Sequence, residues 1–84
     1  MAKNERIIAQ DLAELRNAIQ TENAEDIVTF CHILKKEISK YPVKEDVTSR
    51  LELVVNYYDS SDVDLSSKKQ ITEITDLITI LTSN

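Results

Sequence analysis

The 84-residue sequence contains no glycine, a single proline and a single cysteine. Glycine is the usual residue for tight hairpin turns, positive φ angles and loops that hold phosphate groups. Its absence therefore argues against β-hairpins, P-loops and dinucleotide-binding folds. The single cysteine excludes an internal disulfide and indicates a reducing, intracellular setting. No apolar run approaches the length of about 20 residues that a membrane-spanning helix requires.

The charge balance is acidic, with 15 Asp and Glu residues against 10 Lys and Arg residues and a formal net charge of −5. Such an excess disfavours non-specific binding to nucleic acid and to anionic membranes. We therefore expect neither membrane binding nor direct nucleic-acid binding. The length allows one domain over residues 1–84, which is large enough for a small core but not for a deep catalytic cleft.

The central segment, residues 27–41, shows the clearest helical pattern. Its apolar residues are spaced by three, one, three and four positions: Ile27, Phe30, Cys31, Leu34 and Ile38. This spacing places them on one face of an α-helix. Asn23 is a suitable N-cap, and the Tyr41-Pro42 pair ends the helix.

Three other segments repeat the helical period. The first covers residues 4–20 with Asn4 as the expected N-cap, and carries Ile8, Leu12, Leu15 and Ile19 on its apolar face. The third is either one helix or a short turn at 43–48 followed by a helix at 49–58, and Leu53, Val55 and Tyr57 widen its apolar stripe. The fourth follows a polar loop at 59–67, in which Ser66 or Ser67 is the expected cap.

The fourth segment is ambiguous by propensity, because eight of the twelve residues from Ile71 to Thr82 are Ile or Thr. Branching at Cβ disfavours a helix. The apolar residues nevertheless recur at three- and four-residue spacings, whereas a strand would alternate every two. We therefore predict an all-α fold, a compact bundle of four to five short helices.

No group of residues has the spacing that catalysis or metal binding requires. Cys31 and His32 are adjacent in a helix, so their side chains diverge by about 100° and cannot share a metal. We expect Cys31 in the core and His32 at its boundary. The acidic pair Glu45-Asp46 suits a helix N-terminus, and the loop sequence Asp62-Val63-Asp64 lacks the glycine and final glutamate of a calcium loop. We expect no enzymatic activity, no cofactor, no metal and no small-molecule substrate.

Lysines surround the Tyr41-Pro42 turn, at Lys35, Lys36, Lys40 and Lys44. They form either a solvated helix end or a docking rim for an acidic peptide. Tyr57 and Tyr58 are further candidates for exposed aromatic anchors, although at least one of them should belong to the core.

Residues 40–43 (Lys-Tyr-Pro-Val) and 49–56 (Ser-Arg-Leu-Glu-Leu-Val-Val-Asn) form a familiar pattern. It resembles the N-terminal helical domain of the transcription elongation factor TFIIS, which Elongin A, Iws and a Mediator subunit share. In this family a Lys-x-Pro-Val-like turn precedes Thr-x-Ile-Gly-x-x-Val-Asn. This chain departs from the family at Glu52, which replaces a glycine, and it lacks the tryptophan near the end of the last helix.

The resemblance implies a non-catalytic, nuclear adaptor in transcription elongation that binds short, disordered, acidic and apolar motifs of partner proteins. It implies a binding groove formed by the third and fourth segments and the Tyr41-Pro42 turn. The implied partner-binding residues are Tyr41, Pro42, Val55 and Asn56, with Tyr58, Lys40 and Lys44 beside them.

Two other functions are compatible with the sequence. A small acidic inhibitor or decoy, such as a viral protein, would bind a basic partner through its negative surface. A helical oligomerisation domain would use the Ile/Thr-rich last helix as an exposed apolar stripe.

Overall fold

The computed structural model describes residues 3–83 and contains four α-helices in that range. They are α1 (Lys3–Gln20), α2 (Ala24–Lys40), α3 (Glu45–Tyr58) and α4 (Lys68–Thr82). The helices form a ring in which α1 packs on α2 and α4, and α3 packs on the same two helices. No strand occurs among the described residues, so the prediction of an all-α bundle is confirmed, with four helices.

Neighbouring helices run antiparallel. Three residues join α1 to α2 and four join α2 to α3, and connections this short produce antiparallel neighbours. Arg16 of α1 donates a hydrogen bond to Thr75 of α4 over 3.1 Å. Glu5, near the other end of α1, lines a hollow with Leu81 near the end of α4. The two contacts show that α4 closes the ring antiparallel to α1.

The core is built from the apolar faces that the helical periods predict. In α1 all four predicted residues are buried, and α2 contributes Ile27, Cys31 and Leu34. Ile74, Leu77 and Leu81 of α4 are also buried. The period of α4 thus prevails over the low helix propensity of its β-branched residues, because packing on α1 and α3 stabilises the helix.

Two of the predicted helix caps are confirmed and one is wrong. The Asn23 side chain accepts the backbone N–H of Asp26 at 3.1 Å, and the Ser67 hydroxyl accepts that of Gln70 at 3.4 Å. Asn4 lies inside α1 rather than at its cap, since the helix already includes Lys3. The segment after Pro42 forms a single helix from Glu45.

The turn between α1 and α2 is closed without glycine. Asn23 N–H bonds the Ala18 carbonyl at 2.9 Å, and Glu22 N–H bonds that of Ile19 at 3.1 Å. This pair of bonds defines a Schellman motif, whose left-handed position is usually glycine. Here Glu22 occupies it with a φ of 55°, so the turn retains conformational strain.

One prediction about the apolar surface is wrong, and one alternative that the sequence left open can be compared with the burial of α4. Leu53 does not widen the buried stripe of α3, because 72% of its surface is exposed. The last helix does not present an exposed apolar stripe, since its apolar residues are buried or half-buried except for Ile80. No helix among the described residues has the length and apolar character needed to cross a membrane.

Candidate functional site

An open groove of about 750 Å³ lies between α3 and α4. We call it the α3–α4 groove. Four of its lining residues come from α3 and five from α4: Arg50, Leu53, Val54, Tyr57, Lys68, Lys69, Gln70, Thr72 and Glu73. The groove therefore follows the contact between two antiparallel helices, and neither of its walls contains a strand or a flexible loop.

Leu53 is the most exposed large apolar residue in the groove. It follows Glu52 and precedes Val54, which is buried. Successive residues of a helix are separated by about 100°, so Leu53 points away from the core towards the groove. With Tyr57 one turn later, it gives the α3 wall an apolar surface.

Tyr57 is held in place by two contacts. Its hydroxyl accepts the backbone N–H of Asp64 at 3.0 Å, and its ring meets that of Tyr58 edge-on with centroids 5.0 Å apart. The Asp64 carboxylate in turn accepts the N–H and hydroxyl of Ser66, and these bonds lower the pKa of Asp64. The 59–67 loop is therefore ordered against one end of the groove.

An ion pair between Arg50 and Glu73 joins the two walls. The guanidinium donates to both carboxylate oxygens, at 2.9 and 2.8 Å. This hydrogen bonding lowers the pKa of Glu73 and raises that of Arg50. Because the pair is internally neutralised, the free charge of the groove lining comes from Lys68 and Lys69.

Lys68 and Lys69 are exposed and form no ion pair within residues 3–83. Three lining residues are basic and one is acidic, so the lining carries a net charge of +2 in a chain whose total is −5. The two lysines also begin α4, where the helix dipole adds positive potential. The groove is thus a local basic, partly apolar surface on an acidic protein.

Two of the predicted partner-binding residues lie in the core. Val55 and Tyr58 are buried, and burial raises the pKa of Tyr58 to about 12. The Tyr58 hydroxyl oxygen is itself buried and has no hydrogen-bond partner in the part of the chain that the structure describes. Neither side chain can serve as a direct docking contact in this conformation, whereas the prediction that at least one of Tyr57 and Tyr58 belongs to the core is confirmed.

The other predicted residues lie outside the α3–α4 groove. Asn56 is exposed and borders a smaller hollow of about 160 Å³ between α2 and α3. Tyr41 is half-buried under Lys40, whose ammonium lies 5.3 Å from the ring centroid. Pro42 and Lys44 are exposed, and Lys44 borders a third hollow of about 210 Å³ that also contains Ile80.

The resemblance implies a groove formed by the third and fourth segments together with the Tyr41-Pro42 turn. The groove described here lies between α3 and α4, and the Tyr41-Pro42 turn contributes none of its lining. The sequence patterns do not indicate Leu53, Lys68 and Lys69 as partner-binding residues. Their signal in the sequence is weak: Leu53 fits the apolar stripe of α3, and lysines at a helix N-terminus are common on solvated surfaces.

The potentially reactive groups of α2 lie away from the groove. Cys31 is buried, as predicted, with its thiol 3.8 Å from the Val55 carbonyl, and burial raises its pKa to about 11. His32 is exposed rather than at the boundary of the core. Within the described range, no group of three or more His, Cys, Asp and Glu residues could hold a metal ion.

These features define a small antiparallel four-helix bundle with a basic, partly apolar groove on its surface. Comparisons with family models, characterised proteins and solved structures find no match to this chain. The resemblance of residues 40–56 to the TFIIS N-terminal domain therefore remains a prediction from sequence.

Proposed function

We propose that this chain is a non-catalytic protein-interaction module whose α3–α4 groove binds a short acidic and apolar segment of a partner protein. The observation that supports this most directly is the 72% exposure of Leu53 in a groove bordered by Lys68 and Lys69. Large apolar side chains in concave, charged surroundings are typical of sites that a partner covers. The unpaired lysines supply the complementary charge for acidic side chains.

The groove contacts set the expected strength of the complex. Covering a leucine side chain contributes about 1.5–3 kcal/mol, and each exposed lysine–carboxylate pair contributes at most about 1 kcal/mol. Association costs offset a large part of any such sum. We therefore expect a weak, reversible complex with a Kd of roughly 1 mM or above.

The biological setting in this proposal is a nuclear adaptor in transcription elongation. It is supported by the resemblance of residues 40–56 to the TFIIS N-terminal domain, and by no other observation. The groove itself argues for a class of partner, an acidic and apolar peptide segment, independently of that setting.

An amide-shift titration tests the proposal. A 14-residue peptide with glutamates and two leucines is added to ¹⁵N-labelled protein. We expect the largest shifts at Leu53, Tyr57 and Lys69. Leu53→Ala should weaken binding at least fivefold with little change in stability, because the side chain is exposed. Val28→Ala is the matched control, since Val28 is 50% exposed on α2 and does not line the groove.

Several outcomes would overturn this proposal. Equal losses of affinity for Leu53→Ala and Val28→Ala would show that the peptide does not use the groove. Largest shifts at Asn56 and Tyr41 would move the site to the residues that the sequence indicated. Binding of a basic protein with a steep salt dependence would favour the acidic decoy, and concentration-dependent mass in sedimentation would favour an oligomerisation domain.

A further inference from the structure

Four serines lie in the loop between α3 and α4, and one of them differs from the rest. The hydroxyl groups of the other three form hydrogen bonds within the chain: Ser60, Ser66 and Ser67. Ser61 is exposed and lies outside any helix, and its hydroxyl forms no hydrogen bond within residues 3–83. The Ser61 hydroxyl is therefore the one in this loop that is available for modification.

The sequence after Ser61 is typical of a substrate of acidophilic kinases, whose basic substrate sites select acidic residues. Asp62 follows it directly and Asp64 lies three positions after it, and no other serine or threonine of the chain has acidic residues at both positions. Both aspartates are exposed. The Asp64 carboxylate accepts two hydrogen bonds, both from Ser66. Because a carboxylate has about four acceptor positions, it can also bind a basic side chain of a kinase.

Ser49 shows what the fold adds to this sequence pattern. It is exposed and has an acidic residue, Glu52, three positions later, but it lies inside α3. A kinase binds the residues around its target serine as an extended segment, so modification of Ser49 would require local unfolding of α3. That unfolding would also remove Leu51 from the core, where it is fully buried. The fold therefore favours Ser61 over Ser49.

We infer that Ser61 is a phosphorylation site for an acidophilic serine kinase, and that its phosphate weakens the binding of acidic segments to the α3–α4 groove. The Ser61 Oγ forms a bond to the γ-phosphorus of ATP while the bond from that phosphorus to the β,γ-bridging oxygen breaks. ADP leaves with the bridging oxygen, and the hydroxyl proton passes to a carboxylate base of the kinase. The effect on binding rests on the proposed function, whereas the modification site does not.

Tyr57 connects Ser61 to the groove that it lines. The Tyr57 carbonyl accepts the backbone N–H of Ser60 at 3.3 Å, and the Tyr57 hydroxyl accepts that of Asp64 at 3.0 Å. The chain is thus fastened to Tyr57 on both sides of Ser61. Since consecutive Cα atoms are 3.8 Å apart, the phosphate lies within roughly 10 Å of the Tyr57 backbone, about one Debye length at 0.1 M salt.

A kinase assay on the full chain tests the modification site. The protein is incubated with ATP, Mg²⁺ and a purified acidophilic serine kinase, and the phosphate is located by tandem mass spectrometry. We expect a single phosphate on Ser61 and loss of incorporation in Ser61→Ala, whereas the matched control Ser49→Ala keeps the original rate. Equal rates in Ser61→Ala and the natural protein would overturn the site. So would an unmodified protein under conditions where a free peptide of residues 57–67 is phosphorylated.

A titration with the glutamate- and leucine-containing peptide tests the effect on the groove. The phosphate carries a charge of about −1.5 to −2 at pH 7. It repels the peptide and competes for Lys68 and Lys69, and both effects weaken binding. We expect the phosphorylated protein to bind about two- to fivefold more weakly at low salt, with a smaller difference at high salt.

The results separate this inference from the proposed function. Equal or tighter binding by the phosphorylated protein would overturn the effect of the phosphate and leave peptide binding in the groove intact. Groove amides that shift in neither form of the protein would overturn the proposed function together with that effect. The modification of Ser61 is decided separately, because mass spectrometry measures it without the peptide.

Discussion

Glu37 provides a test of how α1 and α2 pack, because its carboxyl lies at their contact. One carboxylate oxygen is buried and has no hydrogen-bond partner among residues 3–83. Burial, followed by a hydrogen bond to Asp11 of α1, raises the pKa of Glu37 from 4.5 to about 8. The neutral form of the Glu37 carboxyl is therefore favoured at neutral pH, and in that form it can donate a hydrogen bond to the Asp11 carboxylate.

The sign and size of the effect on stability follow from this change. A group whose pKa is higher in the folded state than in the unfolded state stabilises the fold at pH values below its unfolded-state pKa. This stabilisation is lost as the pH rises through the folded-state pKa. The free energy of unfolding should fall between pH 4.5 and about 8. At about 1.4 kcal/mol per pH unit the limit is about 5 kcal/mol, and partial solvent screening of this half-buried group reduces it to about 2–3 kcal/mol.

Other titrating groups affect the free energy of unfolding below pH 4.5. Hydrogen bonds from Lys35, Ser66 and Arg50 lower the pKa values of Asp59, Asp64 and Glu73 respectively. These carboxylates stabilise the fold above their ordinary pKa values, and their contribution is lost as the pH falls below about 4. We therefore expect maximum stability near pH 4.5–5, which is lower than for most proteins.

Glu37→Gln should remove the fall in stability, because the amide still donates to Asp11 but does not titrate. Urea unfolding followed by circular dichroism at pH 4.5, 6, 7 and 8 measures this directly. We expect the variant and the natural protein to be similar at pH 4.5, and the variant to be about 2–3 kcal/mol more stable at pH 8. Glu14→Gln, an exposed position on α1, controls for the loss of one negative charge.

A second variant separates the two causes. Asp11→Asn removes the neighbouring carboxylate but leaves Glu37 buried, so the fall in stability should become smaller without disappearing. If the natural protein becomes more stable between pH 5 and 8, or if Glu37→Gln keeps the original slope, then this carboxyl is not buried against α1 as described.

Three further predictions use the same unfolding assay. Leu34→Ala should lower the free energy of unfolding by about 2–5 kcal/mol, because Leu34 is fully buried and its loss creates a cavity; a smaller loss would indicate a loosely packed core. Asn23→Ala should cost about 1 kcal/mol through the lost cap of α2, and no loss would argue against the observed cap. Glu22→Gly should stabilise by about 0.5–1 kcal/mol, since the φ of 55° suits glycine, whereas Glu22→Ala should give no gain.

The helices could be predicted from the sequence because the spacing of the apolar residues determines which side of a helix is buried. This held even for α4, whose isoleucines and threonines favour a strand by propensity. The period did not determine how wide each buried face is. Leu53 and Val55 each neighbour Val54 and fit a wide stripe equally well, yet Val55 is buried and Leu53 is 72% exposed. That difference depends on the angle at which α3 meets its neighbours.

The candidate site was less predictable than the fold, for a related reason. The sequence pattern drew attention to the Tyr41-Pro42 turn, where an aromatic residue and lysines are close along the chain. The groove instead brings together Leu53 and Lys69, which are 16 positions apart and meet only because α3 and α4 are antiparallel. Local spacing contains no information about a contact of that kind.

The position of the groove follows from the sizes of the side chains at the helix contacts. Ala9 and Ala18 are buried on α1, and small residues allow neighbouring helices to approach closely. On α3 the groove wall carries the bulky Tyr57, and the nine-residue connection to α4 does not force the two helices together. Of the four helix pairs that are in contact, α3 and α4 accordingly make the least extensive contact. Replacing Tyr57 with alanine would therefore change the spacing of the walls as well as remove a contact, so Leu53, which only projects into the groove, is the better position at which to test binding.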